Sequence, residues 1–386
     1  MTDHHYMQMA IDLAAMASGQ TAPNPVVGAV LVKAGQVVGL GAHLRAGTPH
    51  AEVHALRMAG SEARGATLYV TLEPCSHTGR TPPCATALIE AGVSRAFVAM
   101  VDPFPAVAGQ GIARLEQAGI DVYVGMMEAK ARELNKGYLH FLRYGRPFVT
   151  WKSALSLDGR IALREGAQTH LTGPEARRLV HQLRNRVDAI AVGVGTILAD
   201  DPALTTRFED GAGHHPRPLI FDSRLRTPPS AKVMRASGHS PLIYCAESAS
   251  VQREQALSAC GATVVRAPGI EQVDLRFALR HAGQSGIQHL LLEGGQRLAS
   301  SFLAVRAVDE AWIFHTPRLF GTGVSALSTT VPLSGDGIQL EEISMRQVGQ
   351  DRLITGRLVY ESARDDPAGS VSQEPSARGT TGCLQD

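Results

Sequence analysis

Two cysteines, a histidine and a glutamate in the first third of the chain place the strongest constraint on its fold. Eight residues separate Cys75 from Cys84, and His50 stands two residues before Glu52. Two cysteines and a histidine suit zinc, and three protein ligands leave a fourth coordination position open for water. An open zinc site beside a glutamate is the apparatus of hydrolytic deamination. The fold is therefore expected to bring segments that are distant in sequence to one point.

Local patterning indicates where each of these residues lies on its element. A strand predicted over residues 66–72 ends shortly before Cys75, and a helix predicted over 84–90 begins at Cys84. In the middle of a helix, residues i and i+2 point in different directions. His50 must therefore lie at the very start of a helix predicted over residues 50–58 if Glu52 is to reach the same site. Glu52 is then a proton carrier rather than a ligand.

The residues alone leave a second interpretation of the motif open. A structural zinc site usually has four protein ligands, and His54 and His77 are both candidates for the fourth. His50 and His54 also have the spacing of a zinc-protease helix, but that motif requires glutamate where Ala51 stands. The general deaminase signature has two residues between its cysteines, whereas this chain has eight.

Length and composition limit the class of protein. With 386 residues the chain exceeds one ordinary core, so two domains are expected. Its 37 basic and 36 acidic residues give a net charge of +1, which argues against a protein that grips long nucleic acids but permits small phosphorylated ligands. Five widely spaced cysteines do not indicate a disulfide framework. No signal peptide or membrane span is predicted, so we expect a cytoplasmic protein.

The pattern of strands and helices divides the chain. Residues 1–145 alternate strand and helix, which predicts an α/β layered domain with a largely parallel sheet. Its last helix is predicted over 128–142, and Gly145-Arg146-Pro147 ends it. A second α/β domain is predicted over 147–361, with a capping box from Thr172 to Glu175 and a helix running to about Val187. Residues 362–386 lack apolar periodicity and are predicted to be disordered.

Seven segments in this order resemble the bifunctional riboflavin-biosynthesis deaminase–reductases, and the resemblance extends from residue 1 to about 361. They are TAPNPVVG (21–28), GAH (41–43), PHAE (49–52), PCSHTGRTPPC (74–84), KSALSLDG (152–159), ADDPALTTR (199–207) and EGG (293–295). The resemblance implies a cytidine-deaminase-like α/β/α domain followed by a dihydrofolate-reductase-like α/β domain. It also implies zinc-dependent deamination of 2,5-diamino-6-ribosylamino-4(3H)-pyrimidinone 5′-phosphate, then NADPH-dependent reduction of the ribosyl group to ribityl. Phosphorylated pyrimidines are the expected partners, without nucleic acid or membrane, and a homo-oligomer is expected.

The resemblance assigns a role to each matching residue. In the first domain the zinc ligands are His50, Cys75 and Cys84, the proton shuttle is Glu52, and the substrate contacts are Asn24, His43, His77 and Asp102. In the second domain the catalytic residues are Lys152 and Asp200, and the substrate contacts are Gln168, Arg184, Leu204, Arg207 and Glu293. The cofactor contacts are Ala154, His170, Thr196, Asp200, Ser223, Gly295, Gln296, Arg297, Leu298, Ala299, Ser300 and Ser301. Phe104, Gln168 and His170 depart from the family, which usually has Asn at the first position and often has Ser and Trp at the others.

Direct physical arguments for the second domain are fewer. Gly193-Val194-Gly195 lacks the third glycine of a dinucleotide fingerprint. Gly294-Gly295 before a helix offers bare amides to a phosphate, and a plain strand–helix turn is the alternative. Arg224 and Arg226 are candidates for a 2′-phosphate, which would favour NADPH over NADH.

Two other functions stay open alongside the resemblance. One is a deaminase that acts on a base in RNA or DNA, and the near-neutral charge counts against it. The other is a non-catalytic zinc scaffold whose second half senses a nucleotide. Replacing Glu52 would separate these functions, because only an enzyme needs this glutamate for ammonia release.

Overall fold

Two sheets, one in each half of the chain, organise the fold of this computed structural model. The structure describes residues 1–76, 83–105, 107–166, 169–209, 211, 213–328 and 337–360. These residues divide into two compact units, residues 1–145 and 146–360. The tail predicted over 362–386 lies outside the described residues.

Unit 1 contains a five-stranded sheet in the order β2-β1-β3-β4-β5. Its strands are β1 (Gly28–Lys33), β2 (Gln36–Ala42), β3 (Thr67–Val70), β4 (Arg95–Val98) and β5 (Asp121–Val124). Its helices are α1 (Asp3–Ala15), α2 (Ala51–Ala59), α3 (Cys84–Glu90), α4 (Gln110–Gln117), α5 (Glu128–Leu134) and α6 (Lys136–Tyr144). Strands β3, β4 and β5 are parallel, whereas β1 is antiparallel to both of its neighbours.

Helices cover both faces of this sheet. Alternate residues of each strand point to opposite faces, so each strand contributes to two apolar clusters. Leu31 packs with α2, α3 and α4 in one apolar cluster, whereas Val30 and Val32 pack with α1 and α5 in another. Two glycines let the helices approach closely. A Cβ atom on Gly28 would lie 1.9 Å from the Ala10 carbonyl oxygen. A Cβ atom on Gly41 would lie 2.0 Å from the Ala51 carbonyl oxygen. The second contact fixes the start of α2 against β2.

The single helix predicted over 128–142 is wrong, because the chain forms two helices that are separated at Asn135. The Asn135 side chain accepts a hydrogen bond from the Val26 amide (2.9 Å) and donates one to the Val26 carbonyl (3.0 Å). This buried contact with a segment 109 residues away overrides the local helical pattern.

Unit 2 contains a nine-stranded sheet in the order β11-β10-β9-β8-β12-β6-β13-β16-β15, and β7 pairs separately with β14. Its strands are β6 (Phe148–Leu155), β7 (Arg160–Ala162), β8 (Ala189–Gly193), β9 (Arg217–Phe221), β10 (Leu242–Cys245), β11 (Thr263–Arg266), β12 (His289–Leu292), β13 (Glu310–His315), β14 (Val324–Ser325), β15 (Ile338–Val348) and β16 (Asp351–Tyr360). Its helices are α7 (Pro174–Arg184), α8 (Val194–Asp200), α9 (Val251–Ala259), α10 (Leu275–Gln284) and α11 (Gln296–Ala304). The strands from β11 to β13 in this order are parallel, and β16 and β15 are antiparallel additions.

Helices again cover both faces. Leu290 and Leu292 of β12 pack with α10 and α11, whereas Leu291 packs with the cluster that includes α8 and α9. The predicted capping box is wrong, because Gly173 rather than Thr172 precedes the first helical residue of α7. The Gly173 amide donates to the Asp351 carboxylate (2.8 Å) instead. Helix α7 also ends at Arg184, before the predicted Val187.

Within the described part of the chain, none of the helices combines the length and apolarity that a membrane crossing requires.

Candidate active sites

Three predicted metal ligands meet in unit 1. His50 is the N-cap residue of α2, Cys84 is the first residue of α3, and Cys75 lies beyond the end of β3. The His50 Nδ1 atom is 3.3 Å from the Cys84 Sγ and 3.6 Å from the Cys75 Sγ. In a tetrahedral zinc site the Zn–S and Zn–N distances imply ligand atoms about 3.3–3.8 Å apart. The donor atoms and their spacing therefore fit zinc.

These three residues are the metal-competent group found among the described residues, and their ligand atoms all lie within 4.8 Å of one another. His54 does not belong to the group, and His77, the other candidate for a fourth ligand, lies outside the described residues. Hydrogen bonds from the Cys84 thiol and from His50 hold the pKa of Cys75 well below its usual range. A thiolate at Cys75 is the form that a metal requires.

Glu52 lies beside the ligands without joining them. It is the second residue of α2, only 3% of its surface is exposed, and its carboxyl group contacts the Cys84 thiol. Burial raises the pKa of Glu52 to about 7, although the charge on His50 opposes the shift. Because His50 precedes the helix rather than lying within it, both side chains reach the same place.

His50, Cys75 and Glu52 line a pocket whose empty volume, including its solvent-filled mouth, is about 690 Å³. Three of the predicted substrate residues line it, namely Asn24, His43 and Asp102. The Asn24 Nδ2 is 3.3 Å from the His43 Nε2, and the His43 ring meets the His50 ring edge to face at 5.3 Å. Burial, and then the charge on His50, lowers the pKa of His43 to about 4, so this ring is neutral at pH 7. Phe104 also lines the pocket.

Two residues of this pocket were not anticipated from the sequence. The buried Glu73 carboxylate accepts hydrogen bonds from the amides of Asp102 (3.2 Å), Gly109 (2.9 Å), Gly111 (2.8 Å) and Ile112 (3.3 Å). The Tyr138 hydroxyl donates to the Asp102 Oδ1 (2.9 Å). The position of Glu73 directly before Pro74-Cys75 was a usable signal, whereas the sequence around Tyr138 offered none.

A second polar site lies in unit 2, where three predicted residues meet. The Arg184 guanidinium pairs with the Glu293 carboxylate through two contacts, Nε–Oε1 at 2.8 Å and Nη2–Oε2 at 2.9 Å. Leu292 of β12 pairs with Trp151 of β6, so Lys152 and Glu293 occupy the next register position. The Lys152 Nζ is 4.0 Å from the Glu293 Oε2.

Burial and charge shift the pKa values in this cluster. Burial would raise the pKa of Glu293, but Arg184 and Lys152 outweigh it and hold this pKa at about 2. Burial lowers the pKa of Lys152, and Glu293 opposes the shift. Glu293 is therefore ionised at pH 7 and lies beside the buried side chains of Arg184 and Lys152.

The predicted cofactor residues gather at the carboxyl ends of parallel strands. Ala154 is near the end of β6, Ser223 follows β9, Thr196 and Asp200 lie on α8 directly after β8, and Gly295–Ser301 follow β12. This edge of a parallel sheet is where α/β proteins bind their ligands. Gly295 is the N-cap of α11 with no side-chain cap, and a Cβ atom there would meet nothing within 4 Å. These bare amides fit a cofactor phosphate.

The other predicted residues of unit 2 are less closely associated. The His170 carbonyl accepts a hydrogen bond from Arg318, and Leu204 is buried with a positive φ of 53°. The Arg207 amide donates to the His181 Nδ1 (3.2 Å). Ala299 and Ser300 are buried in α11, and Gln168 lies outside the described residues.

Comparison with known proteins shows which family has this combination of sites. Residues 147–354 match the family model described as the RibD C-terminal domain, and residues 1–100 match the cytidine and deoxycytidylate deaminase zinc-binding region. The riboflavin biosynthesis protein RibD of Bacillus amyloliquefaciens is 42% identical over 360 residues, which cover 92% of this chain and 95% of the relative. The chain belongs to the RibD family. RibD of Escherichia coli (strain K12) is likewise 42% identical, over 91% of this chain and 98% of its own length.

Solved structures agree with this family. The structure of Acinetobacter baumannii RibD, form 1, aligns with a TM-score of 0.83 at 36% identity and covers 93% of this chain and 99% of its own. The structure of a diaminohydroxyphosphoribosylaminopyrimidine deaminase/5-amino-6-(5-phosphoribosylamino)uracil reductase from Thermotoga maritima aligns with a TM-score of 0.79 at 30% identity, over 92% of this chain and 98% of its own.

Membership of the RibD family confirms several predictions. The fold is a cytidine-deaminase-like α/β/α unit followed by a dihydrofolate-reductase-like α/β unit. The chain is a bifunctional deaminase and reductase of riboflavin biosynthesis, with zinc and NADPH as its cofactors. The roles of individual residues and the domain limits 1–145 and 147–361 stay predictions.

Proposed function

We propose that unit 1 deaminates 2,5-diamino-6-ribosylamino-4(3H)-pyrimidinone 5′-phosphate and that unit 2 reduces the ribosyl group of the product to ribityl. The observation that carries the first step is the convergence of His50, Cys75 and Cys84 beside the buried Glu52. Zinc held by these three side chains supplies Lewis-acid activation of water. Hydrolysis replaces the amino group of the ring by an oxygen and releases ammonia.

Glu52 moves the protons of this hydrolysis. Its carboxylate takes a proton from the attacking water and delivers protons to the ring nitrogen and to the leaving amino group. Its position supports this role, because it lines the same pocket as His50 and Cys75 while it is screened from bulk water. A carboxyl group that contacts the Cys84 thiol lies close to the ligands, where the activated water would stand.

The walls of the pocket orient the pyrimidine. Asn24 and Asp102 offer hydrogen-bonding groups to the ring and phosphate, and the neutral His43 adds a ring nitrogen. Phe104 supplies an apolar surface where related proteins usually carry an amide. The Phe104 side chain therefore contacts the substrate through packing rather than through hydrogen bonds.

The charged cluster of unit 2 serves the reduction. NADPH supplies the hydride, and its phosphates fit the amides at the start of α11. Arg184 and Arg207 bind the substrate phosphate, and Glu293 holds Arg184 in place through the two-point ion pair. Lys152 stands as a polar group at the reacting ribosyl carbon, and Asp200 lies on the cofactor side on α8.

Three measurements on the purified protein test this assignment. Zinc content, ammonia release from the diaminopyrimidine phosphate, and NADPH oxidation with the deaminated product should all be positive. Deamination of oligonucleotides without action on the pyrimidine phosphate would favour the nucleic-acid deaminase instead. Zinc binding and NADPH binding with neither reaction would favour the non-catalytic scaffold.

The predicted domain limits, homo-oligomer and cytoplasmic location extend this proposal. Separate expression of residues 1–145 and 147–361 tests the limits, because each piece should keep one activity. Sedimentation of the full chain tests the homo-oligomer, and fractionation of cells tests the location.

A further inference from the structure

The start of α6 contacts two segments that both line the deaminase pocket. Asn135, which separates α5 from α6, binds the amide and carbonyl of Val26, next to the pocket residues Asn24 and Pro25. Tyr138, three residues later, donates its hydroxyl to Asp102. Both Asn135 (3% exposed) and Tyr138 (6% exposed) are buried. The break in the predicted helix therefore links the two segments from which the predicted substrate contacts project.

Asp102 is held from several sides. Its Oδ1 atom accepts hydrogen bonds from the Tyr138 hydroxyl (2.9 Å) and the Phe104 amide (3.0 Å). Its own amide donates to Glu73, which also binds the amides of residues 109, 111 and 112. The backbone of Asp102 is thus fixed by Glu73, and the Tyr138 hydroxyl is a side-chain donor that orients its carboxyl group. A carboxylate fixed at one oxygen presents the rest of the group in a defined direction.

We propose that Tyr138 is a positioning residue for the pyrimidine pocket, which acts by fixing the Asp102 carboxyl group toward the substrate. This inference rests on the proposed function, because it gives Asp102 the role of a substrate contact. Asn135 fixes the first pocket segment and Tyr138 the second, so the start of α6 sets the distance between them. Burial and the hydrogen bond to Asp102 distinguish Tyr138 from Tyr123, which is 51% exposed in the same unit.

Replacement of Tyr138 by phenylalanine removes the hydroxyl and keeps the ring. We expect the KM of Y138F for the diaminopyrimidine phosphate to rise about tenfold, because a hydrogen bond to an oriented carboxyl group is lost. We expect kcat for ammonia release to change by less than about threefold, because Tyr138 lies outside the chemical step. Zinc content and NADPH oxidation with the deaminated product should be unchanged. The matched control is Tyr123→Phe, since Tyr123 lies in the same unit and is 51% exposed.

A double-mutant cycle with Asp102→Ala identifies the route of the effect. If Tyr138 acts through Asp102, Y138F should add no further rise in KM to a protein that already carries D102A. Full additivity would overturn the proposal and assign Tyr138 a direct contact with the substrate. A Y138F protein that behaves like Y123F, or one that loses zinc or the folded state, would also overturn it. If the unaltered protein releases no ammonia, the proposed function itself fails, and this outcome is distinct from all the others.

Discussion

Arg184 and Glu293 form a two-point ion pair across 109 residues of sequence, with contacts of 2.8 and 2.9 Å between nitrogen and oxygen. The Arg184 Nη1 atom also donates to the Thr205 carbonyl (3.1 Å), so the same guanidinium anchors the segment that carries Leu204 and Arg207. Lys152 approaches the same carboxylate from β6. One acidic group therefore organises two cations that the proposed reductase site requires.

Glu293→Gln should remove an acid-sensitive part of the stability of unit 2. The folded-state pKa of Glu293 is about 2 against an ordinary value of 4.5, so its contribution is complete above pH 4.5 and is lost as the pH falls through 2. That shift corresponds to about 3 kcal/mol. The free energies of unfolding of the two proteins should therefore differ most at pH 7 and converge as the pH falls from 4.5 toward 2.

Urea unfolding followed by tryptophan fluorescence measures this difference, because both tryptophans, Trp151 and Trp312, lie in unit 2. The control is Glu341→Gln, which breaks an exposed ion pair with Arg357 and should cost less than about 1 kcal/mol. A difference between E293Q and the unaltered protein that stays constant with pH would contradict the assignment of the charge to Glu293.

Arg184→Lys should weaken binding of the deaminated pyrimidine phosphate to unit 2, and ammonia release should be unaffected. Lysine keeps the charge, but it cannot make the two-point contact with Glu293 and the third contact with Thr205 at the same time. We expect the KM of the reductase reaction to rise about tenfold or more. Steady-state NADPH oxidation measures it, and Arg186→Lys, an exposed arginine just beyond the same helix, should leave KM unchanged.

The elements that were predicted well have strong local signals. The bounds of α3 agree with the helix predicted over 84–90, because Pro83 precedes the apolar run and Ala91-Gly92 follows it. The convergence of His50, Cys75 and Cys84 was also predictable, since ligand chemistry and the i, i+2 argument together require His50 at a helix start.

The features that were missed depend on contacts between distant residues. Asn135 separates two helices through Val26, and Tyr138 gains its partner only when Asp102 folds beside it. Strand β15 is exposed on both faces along most of its length, so its sequence carries no alternation of apolar and polar residues. No local pattern specifies which buried amides will gather around Glu73.

Glu52→Gln should abolish ammonia release while the zinc site stays intact. Glutamine keeps the shape of the side chain but cannot carry protons between water, ring and leaving group, so kcat should fall about a thousandfold. Zinc content and NADPH oxidation with the deaminated product should be unchanged. Glu62→Gln is the control, because this exposed residue follows the same helix and pairs only with a surface lysine among the described ion pairs. Loss of zinc from E52Q would show that Glu52 supports the metal rather than the proton transfers.

Cys84→Ser should remove zinc from the protein and ammonia release with it. Serine is a harder and far less acidic ligand than cysteine, so the site would keep one thiolate and one imidazole in place of three suitable donors.

The exposed Cys260 provides the matched control, because Cys260→Ser removes a thiol that lies outside the metal-competent group. Zinc content by atomic absorption, ammonia release and NADPH oxidation should be measured on both variants. We expect C84S to lose the first two and keep the third, since the reductase residues belong to unit 2. Retention of a full equivalent of zinc in C84S would contradict the ligand set, and loss of NADPH oxidation would show that the reductase depends on the zinc site.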